Sequence, residues 1–276
     1  MPEGDTIHRS ADRLRPALAG RALVRLEAPH ATGQRPPLGT IIEGVDAEGK
    51  HLRIRFADGT ALRTHLRMTG SWHLYRTGEP WQRPAHLARA IVGVDDWVAV
   101  CFSAPVVAFE RDGAATAHLG PDLTVGVSDS QVEEIVERMD ALLPPDTPIA
   151  VALLDQRIAA GVGNVFKSEV LFLRGVDPFA TVSSLDAATK RRLIATAASL
   201  LRTNALNAGP RVTYAGGHAV YGREGQPCRR CGTPVRRQRQ GEQARSTYWC
   251  PGCQPPRSAT SASTKTSTLE GQNPGA

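Results

Sequence analysis

The sequence predicts an α+β chain of more than one domain, and three observations predict it. Residues from about Arg21 to Val127 alternate like strands with turn residues between them. The pattern turns helical after Ser128, and four cysteines close the ordered part. A length of 276 residues leaves room for one large domain or two to three small ones. With 41% hydrophobic residues and no long uncharged apolar run, a soluble globular chain without a membrane span is expected. The polar residues from Glu3 onward argue against a signal peptide, so a cytoplasmic setting is expected.

The first element is a helix. Ile7, Ala11, Leu14 and Leu18 fall at helical spacing, Asp5 is placed as N-cap, and Gly20 closes the segment. Ahead of it stand "MPE". Removal of Met1 would leave Pro2 as a free secondary amine, and an α-amino group has an ordinary pKa of roughly 7.7–8.0. Its neutral form can attack a carbonyl-type carbon, with the Glu3 carboxyl group at hand for proton transfer. A frayed terminus without chemistry is the plainer reading. The helix N-terminus beside these residues favours carboxylate or phosphate, which argues that the terminus is held.

Among the strands, "GKHLRIRFADGTALRTHLRMTG" reads as a hairpin with its turn at Asp58-Gly59. Parity puts Lys50 on the face of Leu52, Ile54 and Phe56, with His51, Arg53 and Arg55 opposite. Lys50 is therefore a snorkelling rim residue or a poised amine. Cys101, alone in an apolar stretch, reads as a buried small hydrophobe.

Three helical stretches follow: "SDSQVEEIVERMDALL", "PIAVALLDQRIAAGVGNVFKSEVLFLRGVDP" and "SSLDAATKRRLIATAASLLRTNAL". They are punctuated by Pro144, Pro145 and Pro148, then by Gly175 and Pro178. Within the second, "AAGVGN" carries Gly161 and Gly163 at a tight turn and Asn164 as a polar cap. Exposed N–H groups there would form a phosphate cradle, or the turn is only a packing corner.

Cys228, Cys231, Cys250 and Cys253 form two CxxC knuckles spaced to hold one tetrahedral structural Zn²⁺. Disulfides compete, and the absence of a secretion signal favours thiolates. Four thiolates leave the metal no open position for chemistry. Between Gly222 and Arg257 stand eight arginines against Glu224 and Glu242. That excess equals the whole chain's net charge of +6 and points to a polyanion such as nucleic acid. The Ser/Thr/Pro/Gly-rich tail, residues 255–276, is expected to be disordered.

"MPEGDT", "GKHL", "DQRIAAGVGNVFKSE" and "ARSTYWCPGC", in this order, resemble the formamidopyrimidine-DNA glycosylase/endonuclease VIII family across about residues 1–254. The Asp-Gln-Arg run and "YGREGQPCRRCG" look most like its actinobacterial endonuclease VIII-like branch. The resemblance implies a catalytic β-sandwich domain bearing the terminal helix (1–125), a helix-two-turn-helix domain (126–220) and a zinc finger (221–254). Damaged double-stranded DNA would lie in the cleft between the first domain and the other two. A monomer is expected.

By the same resemblance, Pro2 is the Schiff-base nucleophile, Glu3 the carboxyl acid/base and Lys50 a second proton donor. Asn164 and Arg245 grip phosphates, with Arg245 also assigned to the catalytic set. Met68 is the wedge that fills the gap left by a flipped nucleotide, a core methionine being the alternative. The implied activity is a bifunctional DNA glycosylase/AP lyase of base excision repair that cuts by β,δ-elimination.

The "DPRRFG" loop of the formamidopyrimidine branch is replaced here by "AFERDGAATAHLGPDL". That favours oxidised pyrimidines, with 8-oxoguanine or formamidopyrimidine lesions as the alternative, and it puts His118 near a position where the family has a DNA-contacting arginine. A zinc-finger DNA-binding protein without catalysis competes, but such a binder has no use for the Pro2, Glu3 and Lys50 set. A zinc-ribbon transcription factor fits poorly with so much ordered β and α structure.

Overall fold

The computed structural model describes residues 2–256 except Asp112, Ala115 and Ala208, so the expected tail lies almost wholly outside the described residues. The first helix, α1 (Gly4–Leu18), begins two residues earlier than an Asp5 cap predicts. Glu3, not Asp5, is its N-cap residue. Asp5 is instead buried in the first turn and takes an N–H bond from Arg211 Nε at 2.7 Å. A charged partner from a distant segment draws Asp5 away from capping.

Two four-stranded antiparallel sheets follow, formed by β1 (Arg25–Glu27), β2 (Ile42–Glu48), β3 (His51–Phe56), β4 (Thr60–His65), β5 (Ser71–Arg76), β6 (Ala88–Gly93), β7 (Trp97–Phe102) and β8 (Val106–Arg111). Their strand orders are β1-β6-β7-β5 and β2-β3-β4-β8. The anticipated hairpin is β3–β4, with His51 opposite His65 and Arg55 opposite Ala61. Gly59 takes the left-handed φ of +81° that its turn needs, and Asp58 accepts the Thr60 N–H.

Alternation sends Leu52, Ile54 and Phe56 inward against Trp72, Val92, Ala99 and Cys101 of the other sheet. The apolar face of α1 (Ile7, Ala11, Leu14, Leu18) closes the same core. Each large aliphatic side chain there contributes about 1.5–3 kcal/mol by burial. Cys101 is the small buried hydrophobe its surroundings suggest.

The helical region comprises α2 (Asp129–Leu142), α3 (Ile149–Ala152), α4 (Asn164–Arg174) and α5 (Ala187–Leu206). Ser128 and Gln131 form a capping box at α2, and Gly175, in left-handed conformation, ends α4. The second helical stretch is shorter than its periodicity suggests: α3 has four residues, and the chain up to Gly163 is irregular. Its backbone bonds to the preceding connection instead. Gly120 and Leu123 donate to Gln156 and Ala160, and Ala160 donates to Pro121.

Residues Asn164 to Phe172 of α4 are all buried, because the helix is covered on every side. One neighbour is the terminal hairpin of β9 (Arg236–Gln240) and β10 (Arg245–Trp249). There Phe172 packs with Ala219, Val220, Cys228, Val235 and Cys250. Among the described residues no helix is long and apolar enough to cross a membrane.

Candidate active site and nucleic-acid interface

The site begins where the chain begins. Glu3 is 1% exposed, and its carboxylate reaches 160 residues ahead to the start of α4. Gly163 N–H donates to Oε2 at 3.0 Å, Val165 N–H to Oε1 at 2.8 Å and Phe166 N–H to Oε2 at 3.2 Å. The helix N-terminus that "AAGVGN" promised as a phosphate cradle therefore receives an internal anion, the Glu3 carboxylate. Asn164 is not the cap. Gly163 occupies that position, and Asn164 is the first helical residue.

Both glycines of the motif now have a reason. A Cβ on Gly163 would lie 2.3 Å from Glu3 Cδ, and Gly161 holds a φ of +106°. Gly4 is similarly confined: its N–H donates to Gly161 O at 2.9 Å, and a Cβ would fall 2.4 Å from Thr124 Oγ1. Pro2, directly before Glu3 and half-buried, is thereby tethered to the junction of the sheet and helical regions.

Lys50 lies in the turn before β3. The Asp122 carboxylate fixes that turn. Its Oδ2 accepts Gly49 N–H at 2.7 Å and lies 2.9 Å from His8 Nε2, while its Oδ1 accepts Thr124 N–H at 2.8 Å. Burial pushes the Lys50 ammonium down to about 8, against the pull of Glu3 and with a further push from Arg245. The direction favours a poised amine over a snorkelling rim residue, whose head would stay in water. His51 and His65, ring centroids 5.0 Å apart, stand beside it. Burial and neighbouring cations hold them down to about 3 and about 4, so both are neutral near pH 7.

Asn164 and the strand that begins at Arg245 meet through a residue that sequence reasoning missed. Lys167, 1% exposed, donates to Ser246 O and Thr247 Oγ1 at 2.9 Å each, and lies 3.4 Å from Asn164 Oδ1. Burial pushes it down to about 7, opposed by Glu3 and reinforced by Arg245 and Lys50. Its only sequence signal is the polar run Lys167-Ser168-Glu169 inside an otherwise apolar helix. Glu169 itself accepts four bonds, from Thr213 Oγ1 and from the N–H groups of Ala219, Val220 and Tyr221.

Arg245 starts β10 and is exposed, its guanidinium resting on Gln243 Oε1 at 2.8 and 3.1 Å. Met68 is not a core methionine. It is 69% exposed, on a loop where Arg67 takes a φ of +46° and Gly70 N–H closes on Leu66 O. His118 is exposed and close enough to act electrostatically on His51.

The sulfurs of Cys228, Cys231, Cys250 and Cys253 lie within 4.8 Å of one another. Tetrahedral Zn–S bonds of about 2.3 Å would set sulfurs roughly 3.8 Å apart, so the four thiolates fit one structural Zn²⁺. The ion would lock the knuckles beneath the β9–β10 hairpin. Among the described residues, no other cluster of three or more metal-ligating side chains is present.

A sheet region with a tethered amino terminus, a helical region and a hairpin over a cysteine knuckle, meeting at the charged groups Glu3, Lys50, Lys167 and Arg245, suit an enzyme that processes nucleic acid. Residues 1–105 match the formamidopyrimidine-DNA glycosylase N-terminal domain, 119–213 its H2TH domain, and 225–256 the zinc finger found in FPG and IleRS. The chain is 42% identical over 265 residues to a probable endonuclease 8 2 of Streptomyces coelicolor, covering 92% of this chain and 94% of that one. It is 37% identical to the DNA-(apurinic or apyrimidinic site) lyase Nei2 of Mycolicibacterium smegmatis, covering 92% and 99%.

Thermus thermophilus MutM (Fpg) shares the fold with a TM-score of 0.75 at 29% identity, covering 92% of this chain and 98% of that one. Lactococcus lactis Fpg bound to DNA containing an AP site does so with 0.76 at 21%, covering 92% and 100%. The chain belongs to the formamidopyrimidine-DNA glycosylase/endonuclease VIII family of enzymes, and its relatives include actinobacterial endonuclease 8 proteins.

Proposed function

We propose that this protein is a bifunctional DNA glycosylase and AP lyase of base excision repair, acting as a cytoplasmic monomer on damaged double-stranded DNA. The observation that carries the reading is that Glu3, the residue after Pro2, stands among three basic side chains, Lys50, Lys167 and Arg245, so that one carboxylate faces an excess of positive groups. A DNA phosphate run would answer that excess.

A base inside the stack is out of reach, so the nucleotide is flipped out, and a lesion lowers the cost of doing so. The Pro2 nitrogen then attacks C1′, the glycosidic bond breaks and the damaged base leaves with a proton. Glu3 protonates the ring oxygen as the sugar opens to an iminium. That cation acidifies the C2′ proton. Its loss expels the 3′ phosphate, and a second, δ-elimination expels the 5′ phosphate. Lys50 serves these proton transfers, Asn164 and Arg245 hold the flanking phosphates, and exposed Met68 fills the vacated stack.

Oxidised pyrimidines are the assigned substrates, supported by the replaced loop around His118 and by the endonuclease 8 names of the relatives. A formamidopyrimidine-DNA glycosylase of Gloeobacter violaceus that is 36% identical over 226 residues supports a second reading, the same chemistry on purine lesions.

Borohydride trapping on duplexes carrying thymine glycol, dihydrouracil or 8-oxoguanine opposite cytosine tests substrate and nucleophile together. Covalent complex is expected with the pyrimidine lesions and none with Pro2→Gly. Trapping by Pro2→Gly at full yield overturns the mechanism, and preferential trapping on 8-oxoguanine overturns the substrate class.

A further inference from the structure

We infer that Lys167, in its ammonium form, is a positioning residue that locks Asn164 and the Arg245 strand into one phosphate-gripping unit. The inference rests on the DNA-binding reading above and goes a step beyond it. An ammonium offers three donors and no acceptor. Ser246 O, Thr247 Oγ1 and Asn164 Oδ1 are three oxygens around a nitrogen that is otherwise buried. The Thr247 hydroxyl spends its own hydrogen on Gln240 Oε1 at 2.6 Å, so towards Lys167 it can only accept.

The consequence for Asn164 follows from donor bookkeeping. Because Lys167 cannot accept while charged, the side-chain oxygen of Asn164 must face it, and the NH₂ group must face away, able to donate to a phosphate. On the other side, the Ser246 carbonyl that Lys167 holds belongs to the residue next to Arg245. One buried cation thus sets the amide of α4 and the backbone of β10 together, and both grips share a register.

Loss of the proton frees a lone pair on Nζ. The amide can then turn over and present oxygen to the phosphate, which repels it. Lys167 is held near 7, so this exchange falls within the working range, with the ammonium present below about 7 and lost above it. The groups facing it are Glu3 from the terminus, Lys50 from the turn before β3 and Arg245 from β10. Of these, Lys50 is itself held near 8 and titrates in the same range. A variant comparison is therefore needed to isolate Lys167.

The test measures Kd of the zinc-loaded protein for a duplex carrying a tetrahydrofuran abasic-site analogue, at pH 6 and pH 8.5. Lys167→Met is expected to bind about tenfold weaker than wild type at pH 6 and to converge on it at pH 8.5. Lys167→Arg, which cannot deprotonate, is expected to stay tight at both. Lys167→Met matching wild type at pH 6, or weakened equally at both pH values, overturns the inference, because a merely structural lysine would act at every pH. Lys167→Arg following the wild-type profile overturns it as well.

Should Lys167→Met fail to fold, Asn164→Ala with Lys167 intact is expected to flatten the wild-type pH dependence. An unflattened profile overturns the inference. Wild type that ignores the duplex altogether removes the DNA reading and this inference together, whereas normal wild-type binding with an unaffected variant removes only the inference.

Discussion

Two sets of residues in the site are built to opposite specifications. In one, the amino terminus is fastened: Glu3 accepts three N–H bonds from the α4 start, Gly4 is packed against Gly161, and Asp122 fixes the turn that carries Lys50. In the other, Arg245 of the hairpin lies in solvent on Gln243, and Met68 of the sheet region projects from an open loop. On the proposed mechanism the difference has a purpose: groups that would meet reacting atoms within fractions of an ångström are held before substrate arrives, and groups that would meet a long, flexible polyanion can be left to close onto it.

Removing the metal breaks the contrast most severely. Chelation of Zn²⁺ should unfold the knuckle, release the β9–β10 hairpin and weaken DNA binding by at least about a thousandfold in a gel-shift or anisotropy assay. Retained affinity after complete zinc loss would place the grip elsewhere.

Gly163→Ala attacks the fastened set. The added methyl would have to displace Glu3, so turnover on an abasic site should fall by about a hundredfold while duplex Kd changes little. Loss of affinity in parallel with turnover would show that Glu3 and the grip are not separable.

The third prediction concerns pH. With Lys50 charged below about 8, a proton-donating role predicts that single-turnover cleavage declines as pH rises through that value, and that Lys50→Met removes this limb and lowers the rate by about a hundredfold. An unchanged alkaline limb in Lys50→Met would assign it to another group.

The smallest effect belongs to the exposed set. Arg245→Ala should weaken binding and reduce the slope of log K against log salt by about one, and an unchanged slope would argue against a phosphate contact.

What the sequence discloses follows the range of the interactions concerned. The four cysteines, the Asp58-Gly59 hairpin, the apolar face of α1 and the Gly175 stop are written in spacings of a few residues, and each stands where its local pattern places it. The Glu3 cap joins residues 160 positions apart, and no local periodicity carries it. For that reason "AAGVGN" reads as an open cradle or a bare packing corner, Asn164 as its cap and Asp5 as a helix cap, when an anion is supplied from within and Arg211 claims Asp5. Lys167 escapes notice because a lysine at a helical position ordinarily faces water, and only the covering of α4 on every side makes it internal.

The packing of Gly4, Gly161 and Gly163 around the terminus limits how this protein can be re-engineered. Where an added methyl group would collide with Thr124, Gly161 or Glu3, sequence variation at the first residues has almost no room.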